Sequence, residues 1–356
     1  FCATLMRRGA AVYVLLYCLT VPVSPVAHGG QIHQVAPKSS SSVIAITNDG
    51  TVLLAVNPDS ASLTILDTTT HTILDELKVG QNPLAVALTP DNSRAYIAVN
   101  GDDALSVVDI ERRNVIQSVP VGSRPAGVAV SPDGGLIAVT EMGMDRVHLL
   151  ADSGEELSTV ALYAVADRPY GLAFTADGHQ LLVSHLLSGM VTVLPVFRHR
   201  VLIPYAAVAS GRAADDTDAQ YRSIELRKEP WVTIETWPHV APAPAVIVAT
   251  NGQRAYLPQT MANGLGLNTG FDTSVFPKIS VLDLENWNHN RAEHIPLPER
   301  DQPVGLPWDA ALARDDGELW VVNAASNDLS VLDISDPTRA QRRAHIQVGD
   351  NPRGIV

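Results

Sequence analysis

Three features of the sequence predict an all-β fold of four-stranded blades set radially around an axis. A Val-Gly-x-x-Pro connection occurs as Val79-Gly80-Gln81-Asn82-Pro83, Val121-Gly122-Ser123-Arg124-Pro125 and Val348-Gly349-Asp350-Asn351-Pro352. Pro169, after Ala166-Asp167-Arg168, keeps the proline alone. A turn signal follows Pro83, Pro125 and Pro169 by about seven residues, and apolar, β-rich runs flank the turns. Pro83, Pro125 and Pro169 are 42 and 44 residues apart, so one unit repeats at about that period.

Each element of the unit has its own reason. The turns are Asn48-Asp49-Gly50, Pro90-Asp91-Asn92, Pro132-Asp133-Gly134, Ala176-Asp177-Gly178, Asn251-Gly252 and Asp315-Asp316-Gly317. Such pairs read as tight hairpins because both central positions tolerate φ > 0. First strands begin near Val43, Leu84, Ala126, Tyr170, Ala245 and Leu306. Second strands, such as Ala95-Tyr96-Ile97-Ala98-Val99 and Leu319-Trp320-Val321-Val322, follow the turns. Third strands follow those, as in Leu105-Ser106-Val107-Val108-Asp109 and Leu329-Ser330-Val331-Leu332-Asp333. A more polar fourth strand, such as Val115-Ile116-Gln117-Ser118-Val119, ends the unit. Inner strands packed on both faces read as continuous apolar runs. Radial stacking buries those faces and leaves only short edges. The expected fold is therefore a β-propeller. A linear solenoid has shorter coils without regular hairpins. Gly354-Ile355-Val356 matches Gly127-Val128-Ala129, so the expectation is seven blades, the last truncated. Residues 31–36 lie where a fourth strand would close the ring.

The chain begins with Phe1, and Met6-Arg7-Arg8 followed by an apolar run over 9–21 predicts a secretory signal peptide spanning 1–29 with its true start at Met6. The run is shorter than the roughly 20 residues a membrane span needs, and Pro22 and Pro25 follow it. Cys18, after Leu15-Leu16-Tyr17, stands where a bacterial lipoprotein carries its lipid, although Tyr17 is bulky for that site. The expected mature chain, 30–356, is an exported propeller in the periplasm or at the cell surface, with no transmembrane span. Cys2 and Cys18 are the only cysteines, so the mature chain has no disulfide, thiolate zinc site or Cys-x-x-Cys-His haem attachment. With 25 Lys and Arg against 38 Asp and Glu, the net charge of −13 argues against nucleic-acid binding.

Tyr96-Ile97-Ala98-Val99-Asn100 and Leu105-Ser106-Val107-Val108-Asp109, with Val-Gly-x-x-Pro and Ser131-Pro132-Asp133-Gly134, resemble the YVTN family of bacterial and archaeal propellers over residues 43–356. Trp-Asp and Gly-His signatures of WD40 propellers are absent. A narrower resemblance rests on Phe271-Asp272-Thr273-Ser274-Val275-Phe276-Pro277, Leu306-Pro307-Trp308-Asp309, 322–328 and 348–355. These are similar to exported propellers that precede a c-type cytochrome domain of the di-haem peroxidase type. That resemblance implies haem c in a domain beyond Val356, and no cofactor within the visible chain.

Two segments break the repeat, at about 197–244 and 263–277. The second separates the second and third strands of repeat five and so lies on the face of the Val-Gly-x-x-Pro connections. Loops on one face of a rigid scaffold concentrate function. Candidate ligand or partner residues are Trp231, Trp237, His239, Asn268, Phe271, Trp308, His185 and Asn323. Core or blade-interface packing is the alternative for Trp308, and ordinary loop growth for the insertions. Asp215-Asp216-Thr217-Asp218 lacks the spaced calcium-loop pattern and reads as a solvated loop. The histidines, among them His71, His148, His179, His185, His239, His289, His294 and His345, show no metal-ligand spacing. No catalytic constellation is visible. Three functions remain open: a binding module for a protein or ligand, the propeller of a periplasmic haem enzyme, and a lactonase-like hydrolase. A Cys-x-x-Cys-His after Val356 would mark the second, and lactone turnover the third.

Overall fold

The computed structural model describes residues 40–187, 190–196, 232–235, 243–262, 275–284, 293–297, 304–313, 316–336 and 339–356. Blade 1 comprises β1 (Ile44–Ile46), β2 (Val52–Asn57), β3 (Ser62–Asp67) and β4 (Thr72–Lys78). Blade 2 comprises β5 (Pro83–Leu88), β6 (Arg94–Val99), β7 (Ala104–Asp109) and β8 (Asn114–Pro120). Blade 3 comprises β9 (Pro125–Val130), β10 (Leu136–Glu141), β11 (Arg146–Asp152) and β12 (Leu157–Ala164). Blade 4 comprises β13 (Pro169–Phe174), β14 (Gln180–His185), β15 (Met190–Pro195) and β16 (Val232–Glu235). Blade 5 comprises β17 (Ile247–Val248), β18 (Arg254–Ala262), β19 (Val275–Asp283) and β20 (Glu293–Pro296). Blade 6 comprises β21 (Pro307–Leu312), β22 (Glu318–Asn323), β23 (Asp328–Asp333) and β24 (Gln341–Gln347). Every sheet is an antiparallel meander in chain order.

Side-chain alternation explains the stacking. Along β6, Ala95, Ile97 and Val99 join a cluster with Leu54, Leu63 and Ile65 of blade 1. Tyr96 and Ala98 point the other way, onto Val128, Ile137 and Val139 of blade 3. A strand with period two thus feeds two interfaces at once. Leu149 packs with Phe174 and Val183 between blades 3 and 4. Leu182 and Val191 pack with Val246 and Leu257 between blades 4 and 5. Ile279 and Val281 pack with Leu319 and Val321 between blades 5 and 6.

The expectation of seven blades is corrected here: the described residues form six four-stranded sheets. Residues 354–356 have no strand partner. They lie instead against the start of the first blade, where a Cβ on Gly354 would meet Val43 and Ile44 side chains at 2.5 and 3.1 Å. Residues 31–36 lie outside the described residues. The break after Phe197 separates the third and fourth strands of blade 4, since β16 pairs with β15 from Met190↔Glu235 to Val193↔Val232. The break at 263–277 lengthens a hairpin, with β18 and β19 paired out to Ala262↔Val275.

The hairpin turns are wider than the two-residue form. Thr47 N–H bonds Val52 O at 2.9 Å, which leaves four residues in the loop, and Gly50 alone takes positive φ (72°). Side chains hold this loop. Thr47 Oγ1 donates to Asp49 Oδ1 at 2.6 Å, and Asp49 Oδ1 accepts the Thr51 N–H at 3.0 Å. The same hydroxyl-x-Asp cap recurs at Thr89 and Asp91, Ser131 and Asp133, and Thr175 and Asp177. These bonds favour the charged carboxylate and hold the Asp49 and Asp91 pKa values below the ordinary value. For Asp177 burial acts upward, and the Thr175 and His179 bonds outweigh it.

Candidate site at the channel mouth

The proline connections set the geometry of one face. The residue before each proline is left-handed: Asn82 (φ 52°), Arg124 (56°), Arg168 (49°), Leu306 (53°) and Asn351 (51°). Non-glycine residues adopt that conformation at a cost, so the surroundings must hold it. They do so through the turn between second and third strands. Arg124 N–H donates to Asp103 Oδ1 at 2.7 Å, Arg168 N–H to Asp145 Oδ1 at 2.9 Å and Asn351 N–H to Asn327 Oδ1 at 2.7 Å. The carbonyls of Asn82, Arg124, Arg168 and Leu306 accept backbone N–H groups from the same turns. The chain reverses there and the proline starts the next inner strand, where its missing N–H is tolerated.

The residue after each proline then points to the axis. Leu84, Ala126, Tyr170, Ala245, Trp308 and Arg353 line one narrow mouth, although blades 2 to 6 and the C-terminal segment supply them separately. Tyr170 and Trp308 meet edge to face, with centroids 6.1 Å apart and an interplanar angle of 78°. The Arg353 guanidinium carbon lies 4.0 Å from the Trp308 ring centroid, a cation–π contact. All three side chains are half-buried. Burial pushes the Tyr170 hydroxyl pKa up and the Arg353 guanidinium pKa down.

A short piece of the chain fills the channel below this mouth. Ser40 bridges Ala173 of β13 and Ser42 bridges Val86 of β5, both antiparallel. Ser41 N–H donates to Leu172 O at 2.8 Å, and Ser42 Oγ donates to Asp309 Oδ2 at 2.7 Å. All three serines are buried. Inner strands run from the proline face to the hairpin face, so residues 40–42 run the opposite way, up the axis, before β1 turns down. Below them a cavity of about 430 Å³ opens at the hairpin face, lined mostly by apolar side chains such as Ile44, Val86, Ile247 and Leu312.

The predicted site residues divide into three groups. Trp308 stands at the mouth. His185 and Asn323 end β14 and β22 as expected, but both are fully buried. His185 Nε2 lies 2.9 Å from Thr192 Oγ1, and Asn323 Nδ2 donates to Asp328 at 2.6 Å and Ser330 at 2.9 Å. They belong to a repeated strut in which the last residue of a second strand reaches the third strand seven residues on. Asn57 with Thr64 and Glu141 with His148 are further examples. Burial lowers the His185 pKa to about 4, so its ring is neutral near pH 7. Burial pushes the Glu141 carboxyl up, but bonds from His148, Arg146 and the Gly122 N–H prevail and its pKa falls below the ordinary value. Trp231, Trp237, His239, Asn268 and Phe271 lie outside the described residues.

Tyr170, Arg353 and Asp309 were missed by the sequence reading. The signal available was their place one or two residues after a repeat proline. Among the described residues no group of three or more His, Cys, Asp or Glu is placed to hold a metal ion. No thiol follows Cys18, so the propeller's own residues do not fit covalent haem attachment.

No protein-family model matches this chain, and no curated protein matches it in sequence. Solved structures do resemble it. Hydrazine synthase from Kuenenia stuttgartiensis superposes with a TM-score of 0.70 at 18% identity, covering 92% of this chain and 91% of that one. A putative 6-phosphogluconolactonase from Bacteroides uniformis gives 0.62 at 16% identity, with coverage of 87% and 85%. A periplasmic gluconolactonase from Pseudomonas aeruginosa gives 0.61 at 16%, with coverage of 88% and 86%. At these identities the likeness is one of fold, and the fold is a β-propeller of four-stranded blades.

Proposed function

We propose that this chain is an exported β-propeller binding module that holds its ligand or partner at the mouth on the proline face. Its leader would be residues 1–29, and its ligand or partner a small molecule, another protein or a neighbouring domain of the same polypeptide. The observation that carries the reading is the meeting of Tyr170, Trp308 and Arg353, from separate repeats, at one half-buried place. Aromatic and arginine side chains that are neither core nor fully solvated are what binding surfaces use as anchors. The YVTN-like repeats and the leader-like start support the exported propeller. A second reading, a lactonase-like hydrolase, is supported by the likeness to structures described as gluconolactonases.

The test is a thermal-shift screen of small acids, amines, sugars and lactones, together with a rate assay on glucono-δ-lactone. Stabilisation by one chemical class, lost in Trp308→Ala, is the expected result. No stabilisation by any class would overturn the mouth as a binding site. Saturable lactone turnover above the spontaneous rate would hand the site to the second reading.

A further inference from the structure

The mouth presents several hydrogen-bond donors that are not buried among protein acceptors. Among the described residues Arg353 makes no ion pair or hydrogen bond, and its guanidinium is stacked on the ring of Trp308. Among the described residues the Tyr170 hydroxyl and the Trp308 indole N–H likewise make no hydrogen bond. The nearest acid, Asp309, is 3% exposed, and its oxygens are engaged elsewhere. Oδ2 accepts Ser42 Oγ at 2.7 Å and the Ile355 N–H at 3.3 Å, and Oδ1 accepts the Ala310 N–H at 2.8 Å. A half-buried guanidinium normally takes a carboxylate, because desolvation without a partner is unfavourable. Among the described residues lining the mouth, the one acid is committed to Ser42 and to backbone N–H groups, and the cation is stacked on an indole instead.

We infer that the mouth binds a small organic anion, with its carboxylate or phosphate group on Arg353 and its planar or apolar body against Trp308 and Tyr170. The inference deepens the binding-module reading and rests on it. A guanidinium presents parallel N–H groups that match a carboxylate or phosphate edge. The ring beneath it fixes the fork in one plane, which reduces the ordering that binding requires. Asp309 acts as a steric and electrostatic floor. Buried and already accepting three hydrogen bonds, it is poorly placed to receive an ammonium group from the mouth.

The experiment is calorimetric titration of the full chain with benzoate and with phenyl phosphate, using benzamide as the neutral isostere of benzoate. The expected result is binding of at least one anion and none of benzamide at equal concentration. Arg353→Gln should weaken the anion by about tenfold to a hundredfold, the range a charge-assisted hydrogen bond supplies. Arg353→Lys should restore part of that loss. Trp308→Phe should weaken the anion and the lysine variant alike, and far-ultraviolet circular dichroism checks that each variant is folded. Equal binding of benzamide, or unchanged anion affinity in Arg353→Gln, would sink the proposal. If no anion binds while the thermal-shift screen finds a neutral ligand dependent on Trp308, the anion class fails and the binding module stands. If both find nothing, both fail.

Discussion

Five junctions between successive blades and the junction between blade 6 and blade 1 solve the same problem with different chemistry. Each of the five buries an apolar cluster between a second strand and the next blade's inner strand. Among the described residues the last-to-first junction has no such cluster. Asp309 of blade 6 instead takes the Ser42 hydroxyl of the axial segment and the Ile355 N–H of the C-terminal segment. Burial of methyl and methylene groups is non-directional and scales with area. Hydrogen bonds contribute less net stability but fix position. The described blades therefore gain most of their stability from five apolar interfaces, while hydrogen bonds fix how blade 6 sits on the axial segment.

The difference can be broken from either side. Leu54→Ala, at the blade 1–2 junction, should have the largest effect. Leu54 is fully buried, and such a truncation costs about 2–5 kcal/mol, read as a lowered urea midpoint. Acid should loosen one apolar junction from within. His185 sits beside the lead into blade 5, where the Ala243 N–H donates to His185 O at 3.2 Å. Its folded pKa of about 4 lies below the ordinary value of 6.5, so between those values the unfolded chain binds more protons. Stability should fall as pH drops from about 6.5 to 4, by on the order of 3 kcal/mol, and His185→Gln should flatten that slope. The slope is measured by urea unfolding at stepped pH, and an unchanged slope in the variant refutes the assignment. Ser42→Ala should be the mildest, about 1 kcal/mol. Its sharper use is a double-mutant cycle with Asp309→Asn, where additive losses would show that the pair does not tie blade 6 to the axial segment.

The fold was readable because each period of the repeat spells out four strands in order. The apolar second strands, such as 95–99, could belong only to a sheet covered on both faces. Blade number was overestimated at the end where pattern and structure separate. Gly354-Ile355-Val356 has the sequence of an inner strand, yet a strand is defined by a pairing partner, and these residues have packing contacts with β1 instead. The turn chemistry was half legible. Asp-Gly marked the hairpins, while the hydroxyl two residues before the aspartate, at Thr47, Thr89, Ser131 and Thr175, carried the cap and passed unremarked.

The site was less legible than the fold for a geometric reason. Trp308 drew notice because tryptophan is conspicuous. Tyr170 and Arg353 are ordinary residues whose shared register becomes a site only where inner strands far apart in sequence converge on one axis. Register is a property of the sequence, whereas convergence depends on the radius of the closed ring. His185 and Asn323 illustrate the converse. Their strand positions followed from the repeat, but only packing reveals that they brace the third strand rather than face a ligand.

The buried run at 40–42 bears on how the molecule is made. Ser42 and Asp309 are 267 residues apart, and Ser41 and Leu172 are joined by backbone and side-chain bonds across 131. During synthesis the axial segment leaves the ribosome before any of the strands that will enclose it. It must wait, unpaired, while β5, then β13, then β21 are added around it. Local hairpins can form early, but contacts of such long sequence separation are slow to form. The axial residues are thus translated before every described strand and satisfied after most of them, and a chain halted after blade 4 would hold four blades around a segment whose final anchor does not yet exist.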